Sequence, residues 1–336
     1  MVGVIHFNTP VFPARNRNQS DKQVSNLPAT VMNSSDLSLS RAVGRRQFIR
    51  TTTAALALPG MSNFARAATA SPWRLRLAFS SVMLAELPIE EVCARAAKYG
   101  FEEIDIWCPF DNCKHLADVV ARLGPDGLKE LLAKHKLTLA SFTTYTTAQE
   151  AVGFPAYAEF IGKFGGGLVV RESQYTEVKP QELTATMRAF FEQLKPQIDK
   201  AAATKVRLAI ENHGSALLST PDSFKAFVDL NPAPQHVGLA IAPFHLQNLK
   251  ASVEDVIRTA GSQLHFFYAW QSADGINQLP GHGPADFVPW LKALANINYQ
   301  GVVNPFMHGH STPQELSVGI VKACAYLKDC HTRVIG

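Results

Sequence analysis

The stretch that decides the fold runs from Val206 to Gly214 and reads VRLAIENHG. Its first five residues form a largely apolar run of the kind that builds a buried strand. A carboxylate, an amide and an imidazole follow directly, as Glu211, Asn212 and His213. In a barrel of parallel strands, the chemistry is carried at the carboxyl ends of the strands. We therefore predict that this stretch is one strand of such a barrel and that Glu211 lies at its mouth.

The chain after Ser71 alternates short apolar runs with longer helical patterns, which is the signature of repeated βα units around a parallel sheet. Strands are predicted over 75–79, 103–107, 137–142, 167–171, 206–211, 237–241, 264–268 and 301–304. Helices are predicted over 88–99, 126–135, 180–203, 221–230, 252–260, 284–296 and 313–327. Eight units in about 266 residues agree with the roughly 250 residues of a (β/α)8 barrel, which is the predicted fold.

A doubly wound open sheet is the alternative to the barrel. Sheets of that kind bind nucleotides through a Gly-rich turn after a strand. Neither a dinucleotide-binding nor a phosphate-binding Gly signature follows any predicted strand. We therefore favour the barrel and expect no nucleotide cofactor.

The first 70 residues read as an extension that ends in an export signal. Residues 44–50 read GRRQFIR, which resembles the twin-arginine signal, and a short apolar stretch (51–59) and small-residue cleavage sites (65–70) follow it. For a leader of this kind, Met32 is a more ordinary start than Met1. We predict export to the periplasm, with the mature domain over residues 71–336.

Composition narrows the class of partner. The chain is 46% hydrophobic and 18% charged, and no window is long and apolar enough to predict a membrane span. Residues 71–336 hold 24 Lys and Arg against 26 Asp and Glu, so the barrel lacks the basic excess that nucleic acid requires. The five cysteines show no paired spacing that predicts a zinc site or a disulfide framework. We expect a small molecule as the partner, while the sequence leaves the oligomeric state open.

Short motifs follow one another along the barrel segment in a particular order. They are FSS (79–81), GFEEID (100–105), IENHG (210–214), the element around His245, PGHG (280–283) and YQGVVNPF (299–306). Their order and spacing, over nearly all of residues 75–330, resemble the xylose isomerase-like TIM barrels. That superfamily includes sugar phosphate isomerase/epimerase proteins, tagatose-type ketose epimerases and inosose dehydratases.

The resemblance implies a divalent ion such as Mn²⁺, held by Glu, Asp, His and Glu side chains from the ends of strands five to eight. It also implies that the two glutamates move a proton beside a sugar carbonyl. By position, the first ligand falls on Glu211, the second on Ala242 and the fourth on Asn304. An alanine and an asparagine remove two anionic ligands, and an amide cannot act as the second acid or base. The resemblance therefore implies a depleted metal site.

The third ligand position is ambiguous, because His265 is the nearest imidazole while another register places Phe267 or Tyr268 there. An ion could still be held by Glu211 with imidazoles, and we take Glu211, His245 and His265 as the candidate metal ligands. Ligation of this kind would admit Zn²⁺, Ni²⁺ or Fe²⁺ as well as Mn²⁺.

The candidate catalytic residues are Glu211 and His245. The candidate substrate-binding residues are His213, Trp107, Tyr268, Asn304 and His308, because aromatic faces suit a sugar ring and polar tips suit its hydroxyls. Each also has a simpler interpretation. Glu211 could be part of a structural ion pair, the aromatic rings could be core, and His308 with His310 could belong to an exposed loop.

These observations together predict an exported isomerase, epimerase or lyase that abstracts a proton beside a carbonyl. The substrate is expected to be an unphosphorylated sugar, a polyol or an oxidised sugar, because no cluster of Arg and Lys marks a phosphate site. The alternative is a catalytically silent carbohydrate-binding barrel that kept the fold and lost the chemistry.

Overall fold

The structure is a computed structural model that describes residues 73–108, 110, 112–145, 153–309 and 311–336. The predicted extension and export signal, over 1–70, lie outside the described residues, as does His310. None of the helices in the described ranges combines the length and the apolar composition that a membrane crossing requires.

Within the described part of the chain, eight parallel strands form one sheet, which confirms the predicted (β/α)8 barrel. They are β1 (Ala78–Ser80), β2 (Glu103–Trp107), β3 (Thr138–Thr143), β4 (Gly167–Glu172), β5 (Val206–Glu211), β6 (Val237–Ile241), β7 (Leu264–Ala269) and β8 (Val303–Pro305). Each strand pairs with the next in chain order. A bridge between Leu77 and Val303, with the N–H of Val303 donating to the carbonyl of Arg76 at 2.8 Å, brings β8 back to β1 and nearly closes the ring.

Helices follow the strands. In the described residues they are α1 (Ile89–Lys98), α2 (His115–Asp118), α3 (Gly124–His135), α4 (Phe154–Gly162), α5 (Leu183–Thr204), α6 (Pro221–Leu230), α7 (Pro243–Asn248), α8 (Val253–Ala260), α9 (Val288–Asn296) and α10 (Pro313–Ile335). All seven predicted helices are present; residues 221–230 coincide with α6, and the other six have shifted ends. The sequence prediction missed α2, α7 and α4, which span only four, six and nine residues and so give a short window for a helical period.

Two of the outer helices begin with reciprocal capping boxes. The Thr220 hydroxyl accepts the N–H of Ser223 at the start of α6, and the Thr312 hydroxyl accepts the N–H of Glu315 at the start of α10. In each case the side chain of the residue three positions on accepts the backbone N–H of the cap residue. These bonds fix where each helix begins, because they satisfy N–H groups that the helix leaves unpaired.

Most strand residues are buried on both faces, as expected for a parallel sheet surrounded by helices; the exposed ones lie at the beginning of β3 and β5. One apolar layer lies between the strands and the helices, and a second fills the barrel interior with residues such as Val170, Ala209, Ala240 and Phe266. Because side chains alternate along a strand, Glu211, two residues beyond Ala209, also faces the interior.

The carboxyl end of β5 is fixed by Asn212. Its Nδ2 donates to the carbonyl of Ala242 at 3.2 Å, and its Oδ1 accepts the N–H of Ala242 at 2.7 Å. Asn212 is fully buried, so this reciprocal pair is shielded from water. The amide next to Glu211 therefore ties the end of β5 to the end of β6 and holds the carboxylate in place.

Candidate active site

Glu211 is the centre of the site at the mouth of the barrel. Its side chain is 3% exposed. The hydroxyl of Tyr145, which follows β3, donates to Oε2 of Glu211 at 3.0 Å. The Nε2 atom of His213 lies 3.8 Å from the other carboxyl oxygen, Oε1. The predicted strand end thus places an acid, a phenol and an imidazole together.

The electrostatic environment of Glu211 favours its protonated form. Burial raises its pKa well above the usual range, and the carboxylates of Glu172 and Asp105 raise it further. The hydroxyls of Tyr145 and Tyr268 act in the opposite direction and lower it. A carboxyl poised in this way can donate a proton when neutral and is a strong base when ionised.

A second buried carboxyl lies deeper in the barrel, on β2. Asp105 is fully buried and accepts hydrogen bonds from the hydroxyls of Ser80 (2.8 Å), Ser141 (2.7 Å) and Thr143 (2.8 Å), and from the indole N–H of Trp107. Burial raises its pKa to about 6, although these four donors lower it. Our sequence analysis missed Asp105 as a site residue, although an acid flanked by Ile104 and Ile106 within a strand was a signal that could have found it.

Asn304 and Tyr268 complete the polar floor of the site. The Nδ2 of Asn304 donates to the hydroxyl of Ser80 at 2.8 Å, while its buried Oδ1 has no hydrogen-bond partner in the described part of the chain. The buried hydroxyl of Tyr268 also lacks a well-aligned partner among the described residues. Burial, reinforced by the carboxylate of Glu211, raises the pKa of Tyr268 far above its usual value, so its hydroxyl stays protonated. The floor therefore presents one acceptor and one donor to a ligand.

Three imidazoles line the mouth and are neutral at physiological pH. Burial lowers the pKa of His213 to about 3 and those of His245 and His308 to about 4. The rings of His213 and His245 are 4.9 Å apart between centroids. The buried Nδ1 of His213 and Nε2 of His245 have no hydrogen-bond partner among the residues that the structure describes. A neutral imidazole can donate or accept there, as sugar hydroxyls require.

An aromatic wall surrounds these polar groups. Trp107 stacks on Phe306 with 5.2 Å between centroids and meets Tyr145 edge-on at 5.5 Å and Tyr268 at 6.5 Å. Trp270 meets Phe306 edge-on at 5.2 Å. Such surfaces suit the apolar face of a sugar ring.

Gln278 holds two residues of the barrel mouth, Trp270 and His308, in position. Its Oε1 accepts the indole N–H of Trp270 at 2.7 Å and the backbone N–H of His308 at 3.2 Å. Its Nε2 donates to the carbonyl of His308 at 2.8 Å. Nothing in the sequence marked Gln278, because both partners come from other parts of the chain.

The predicted site residues meet at the mouth, with the exception of His265. Its imidazole packs on Gly238, near the amino end of β6, whereas Glu211 pairs with Ala240 two residues further on. The pairing of β6 with β7 passes over His265, so that Tyr268 reaches the site instead. Glu211, His245 and His265 are therefore not assembled as one ligand set.

An eight-stranded barrel with a buried acid at its carboxyl face defines the general class of the protein. A family profile described as "Xylose isomerase-like TIM barrel" matches residues 93–330. The chain belongs to this family. A comparison with curated protein sequences found no match.

Solved structures confirm the fold. A D-psicose 3-epimerase from Clostridium cellulolyticum H10 is 17% identical, with 78% of this chain and 100% of that one covered at a TM-score of 0.59. The 3-keto-D-glucoside 4-epimerase YcjR from E. coli is 15% identical, with 76% and 100% covered and a TM-score of 0.59. The IolI protein, whose structure holds a zinc atom, is 18% identical, with 78% and 98% covered and a TM-score of 0.57.

The side chains present here do not fit the ion that the family pattern implies. Of the four strand-end positions, Glu211 keeps a carboxylate, while Ala242 offers a methyl group and Asn304 an amide whose nitrogen is bonded to Ser80. In the described ranges, no group of three His, Cys, Asp or Glu side chains is arranged as metal ligands. The buried titratable groups at this position are therefore the carboxyl of Glu211 and the hydroxyl of Tyr268.

Proposed function

We propose that this protein is an enzyme that moves a proton on a carbon beside a carbonyl, in an isomerisation, epimerisation or elimination. Its substrate is an unphosphorylated sugar, a polyol or an oxidised sugar. The observation that carries the proposal is the buried carboxyl of Glu211, held by Tyr145 at the barrel mouth. A carboxyl with a raised pKa is suited to take a proton from carbon and to return it.

Each group around Glu211 has a role in this reaction. Tyr145 positions the carboxyl through its hydrogen bond. The protonated hydroxyl of Tyr268 donates to the carbonyl oxygen, on which negative charge develops as the C–H proton leaves. His245, neutral and next to His213, exchanges protons with substrate hydroxyls.

Binding of the substrate uses the remaining groups of the mouth. Oδ1 of Asn304 and Nδ1 of His213 accept hydrogen bonds from sugar hydroxyls, while Trp107 covers the apolar face of the ring. The carboxylates of Glu172 and Asp105, whose charges act on Glu211, would repel a phosphate dianion. The sugar epimerases among the structural neighbours support a sugar ligand.

The test is the exchange of a carbon-bound hydrogen of the sugar with deuterium from the solvent. The protein is incubated in D2O with aldoses, ketoses and 3-keto sugars, and proton NMR follows the loss of one C–H signal. We expect exchange that falls by a factor of about 100 or more in Glu211→Gln, the amount that general acid–base groups commonly contribute. The matched control is Glu182→Gln, which changes an exposed acid and should leave the rate unchanged.

A second candidate function is sugar binding without catalysis. Asn304 favours it, because the family position of the second glutamate here holds a group that cannot titrate. The same NMR samples separate the two candidates. Saturation transfer to a sugar without C–H exchange, in both the wild type and Glu211→Gln, supports the binding protein and contradicts the enzyme.

We further propose that the protein is exported through the twin-arginine pathway. The support is the order of features before the barrel: the pair Arg45 and Arg46, then an apolar stretch, then small-residue cleavage sites. An exported location also agrees with an unphosphorylated substrate.

A further inference from the structure

The proposed function places the reacting carbon at Glu211. The rest of a larger ligand must therefore extend outward through the mouth of the barrel. Among the described residues, the exposed large aromatic side chains are Phe110 and Tyr175, with exposed fractions of 38% and 64%. Both lie at the mouth, where Phe110 contacts His308 at 5.1 Å and Tyr175 contacts His213 at 5.6 Å between centroids. Aromatic rings at the rim of a polar site offer faces on which a sugar ring can stack.

The backbone around Tyr175 is held in place, although its ring is exposed. The N–H of Ser173 donates to the carbonyl of Glu211 at 3.3 Å. The N–H of Leu217 donates to the carbonyl of Gln174 at 2.9 Å. The segment after β4 is thus bonded to the segment after β5, and the ring is presented from a preformed position, which lowers the entropy cost of binding.

A carboxylate lies beside this ring. Glu172 pairs in register with Glu211 and, two residues beyond Val170, faces the same interior side of the barrel. Burial, together with the charges of Glu172 and Glu211, raises the pKa of Tyr175 to about 12. An aromatic face with a neighbouring carboxylate is suited to a pyranose ring, because it stacks the C–H face and accepts from the hydroxyls.

We propose that Tyr175, Glu172 and His213 form an outer subsite for a second sugar ring, so that the substrate is a glycoside or disaccharide. The proposal rests on the proposed function. One imidazole separates the inner acid from the outer ring, since His213 lies 3.8 Å from Glu211 and also contacts Tyr175. A ligand with one ring at Glu211 therefore reaches Tyr175 with the next.

The test compares matched ligands by calorimetry and saturation-transfer NMR. The probes are glucose, galactose, mannose and xylose, each with its methyl glycoside and with a disaccharide that carries it. We expect the wild type to bind one disaccharide roughly tenfold more tightly than its monosaccharide, which corresponds to about 1.4 kcal/mol. Tyr175→Ala should bring this ratio close to one, while Tyr175→Phe, which keeps the ring, should retain most of it.

Val321→Ala is the matched control, because it removes an exposed apolar side chain from α10 and should keep the wild-type ratio. Equal affinity for disaccharide and monosaccharide in the wild type would overturn the outer subsite alone, as would a ratio that Tyr175→Ala leaves unchanged. Absence of binding to every probe would overturn the subsite together with the proposed function. Glu211-dependent exchange of free monosaccharides with no gain from a second ring would leave the function in place and refute the subsite.

Discussion

The hydroxyl of Tyr145 donates to Oε2 of Glu211 at 3.0 Å and so joins the segment after β3 to the end of β5. The hydrogen bond stabilises the ionised carboxylate, while burial favours the neutral acid. The pKa of Glu211 is thus set by burial and two nearby carboxylates, which raise it, against the hydroxyls of Tyr145 and Tyr268, which lower it. Removal of the Tyr145 hydroxyl should therefore raise the pKa of Glu211.

Tyr145→Phe should shift the pH dependence of carbon exchange upward. The hydroxyl lowers the pKa of Glu211, so its loss raises that pKa, and the ionised base forms only at higher pH. The measurement is the midpoint of the rate against pH. Tyr99→Phe, in the apolar layer between strands and helices, should keep the wild-type midpoint. An unshifted midpoint in Tyr145→Phe would show that the phenol does not tune the acid.

Asp105→Ala should destabilise the protein strongly. The carboxylate accepts from Ser80, Ser141, Thr143 and Trp107 in a fully buried setting, and its removal leaves these donors without their acceptor. We expect a loss of about 3 to 5 kcal/mol in the free energy of unfolding, measured with urea. The exposed Asp126→Ala is the control and should change little.

The charge of Asp105 also gives stability a pH dependence. Burial raises its folded pKa from 3.8 to about 6, so its contribution is complete below pH 3.8 and declines as the pH rises through 6. Asp105→Asn removes the titrating carboxyl, so the stability of this variant does not show the same decline with pH. The free energy of unfolding of the variant, minus that of the wild type, should therefore increase between these two pH values, and a constant difference would contradict the shifted pKa.

Much of the fold could be predicted because each strand is a short apolar run, and Glu211 was visible as an acid at the end of one. The sequence could not show that the pairing of β6 with β7 passes from Leu264 to Phe266. That irregularity leaves His265 near the amino end and brings Tyr268 to the site. Asp105 and Gln278 depend on partners from distant strands and loops, and such contacts exist only in the folded chain.

Acid should destabilise the folded protein by protonating the three imidazoles at the mouth of the barrel. The folded pKa of His213 is about 3 and those of His245 and His308 about 4, against an ordinary 6.5. Their contribution is present above pH 6.5 and is lost as the pH falls through about 4 for His245 and His308 and about 3 for His213, because the unfolded chain binds these protons more readily. His245→Asn should make urea stability less steep between pH 7.5 and 4.5.

The control for this effect is Phe244→Leu, which alters packing next to His245 without removing a titrating group. It should keep the steepness of the wild type. If His245→Asn and Phe244→Leu behaved alike, the acid sensitivity would come from packing and not from the imidazole.

The double variant Arg45→Lys, Arg46→Lys should remain in the cytoplasm. The export receptor reads the arginine pair as an address, so charge alone does not replace it. Cell fractionation of the full chain measures the outcome, with Arg41→Lys as the control outside the motif. A periplasmic double variant would contradict twin-arginine export.

Metal binding should appear when the missing ligands are supplied. The wild type is expected to bind no stoichiometric Mn²⁺, because Ala242 and Asn304 stand where the resemblance implies anionic ligands. Of the three candidates for the imidazole position, His265, Phe267 and Tyr268, we use Tyr268, whose hydroxyl acts on Glu211. The triple variant Ala242→Asp, Tyr268→His, Asn304→Glu places these ligands after or within β6, β7 and β8, alongside Glu211 on β5. We expect one equivalent of Mn²⁺ by calorimetry for the triple variant, and its loss when Glu211→Gln is added. One equivalent in the wild type that disappears in Glu211→Gln would show instead that this barrel has kept a working metal centre with a different ligand set.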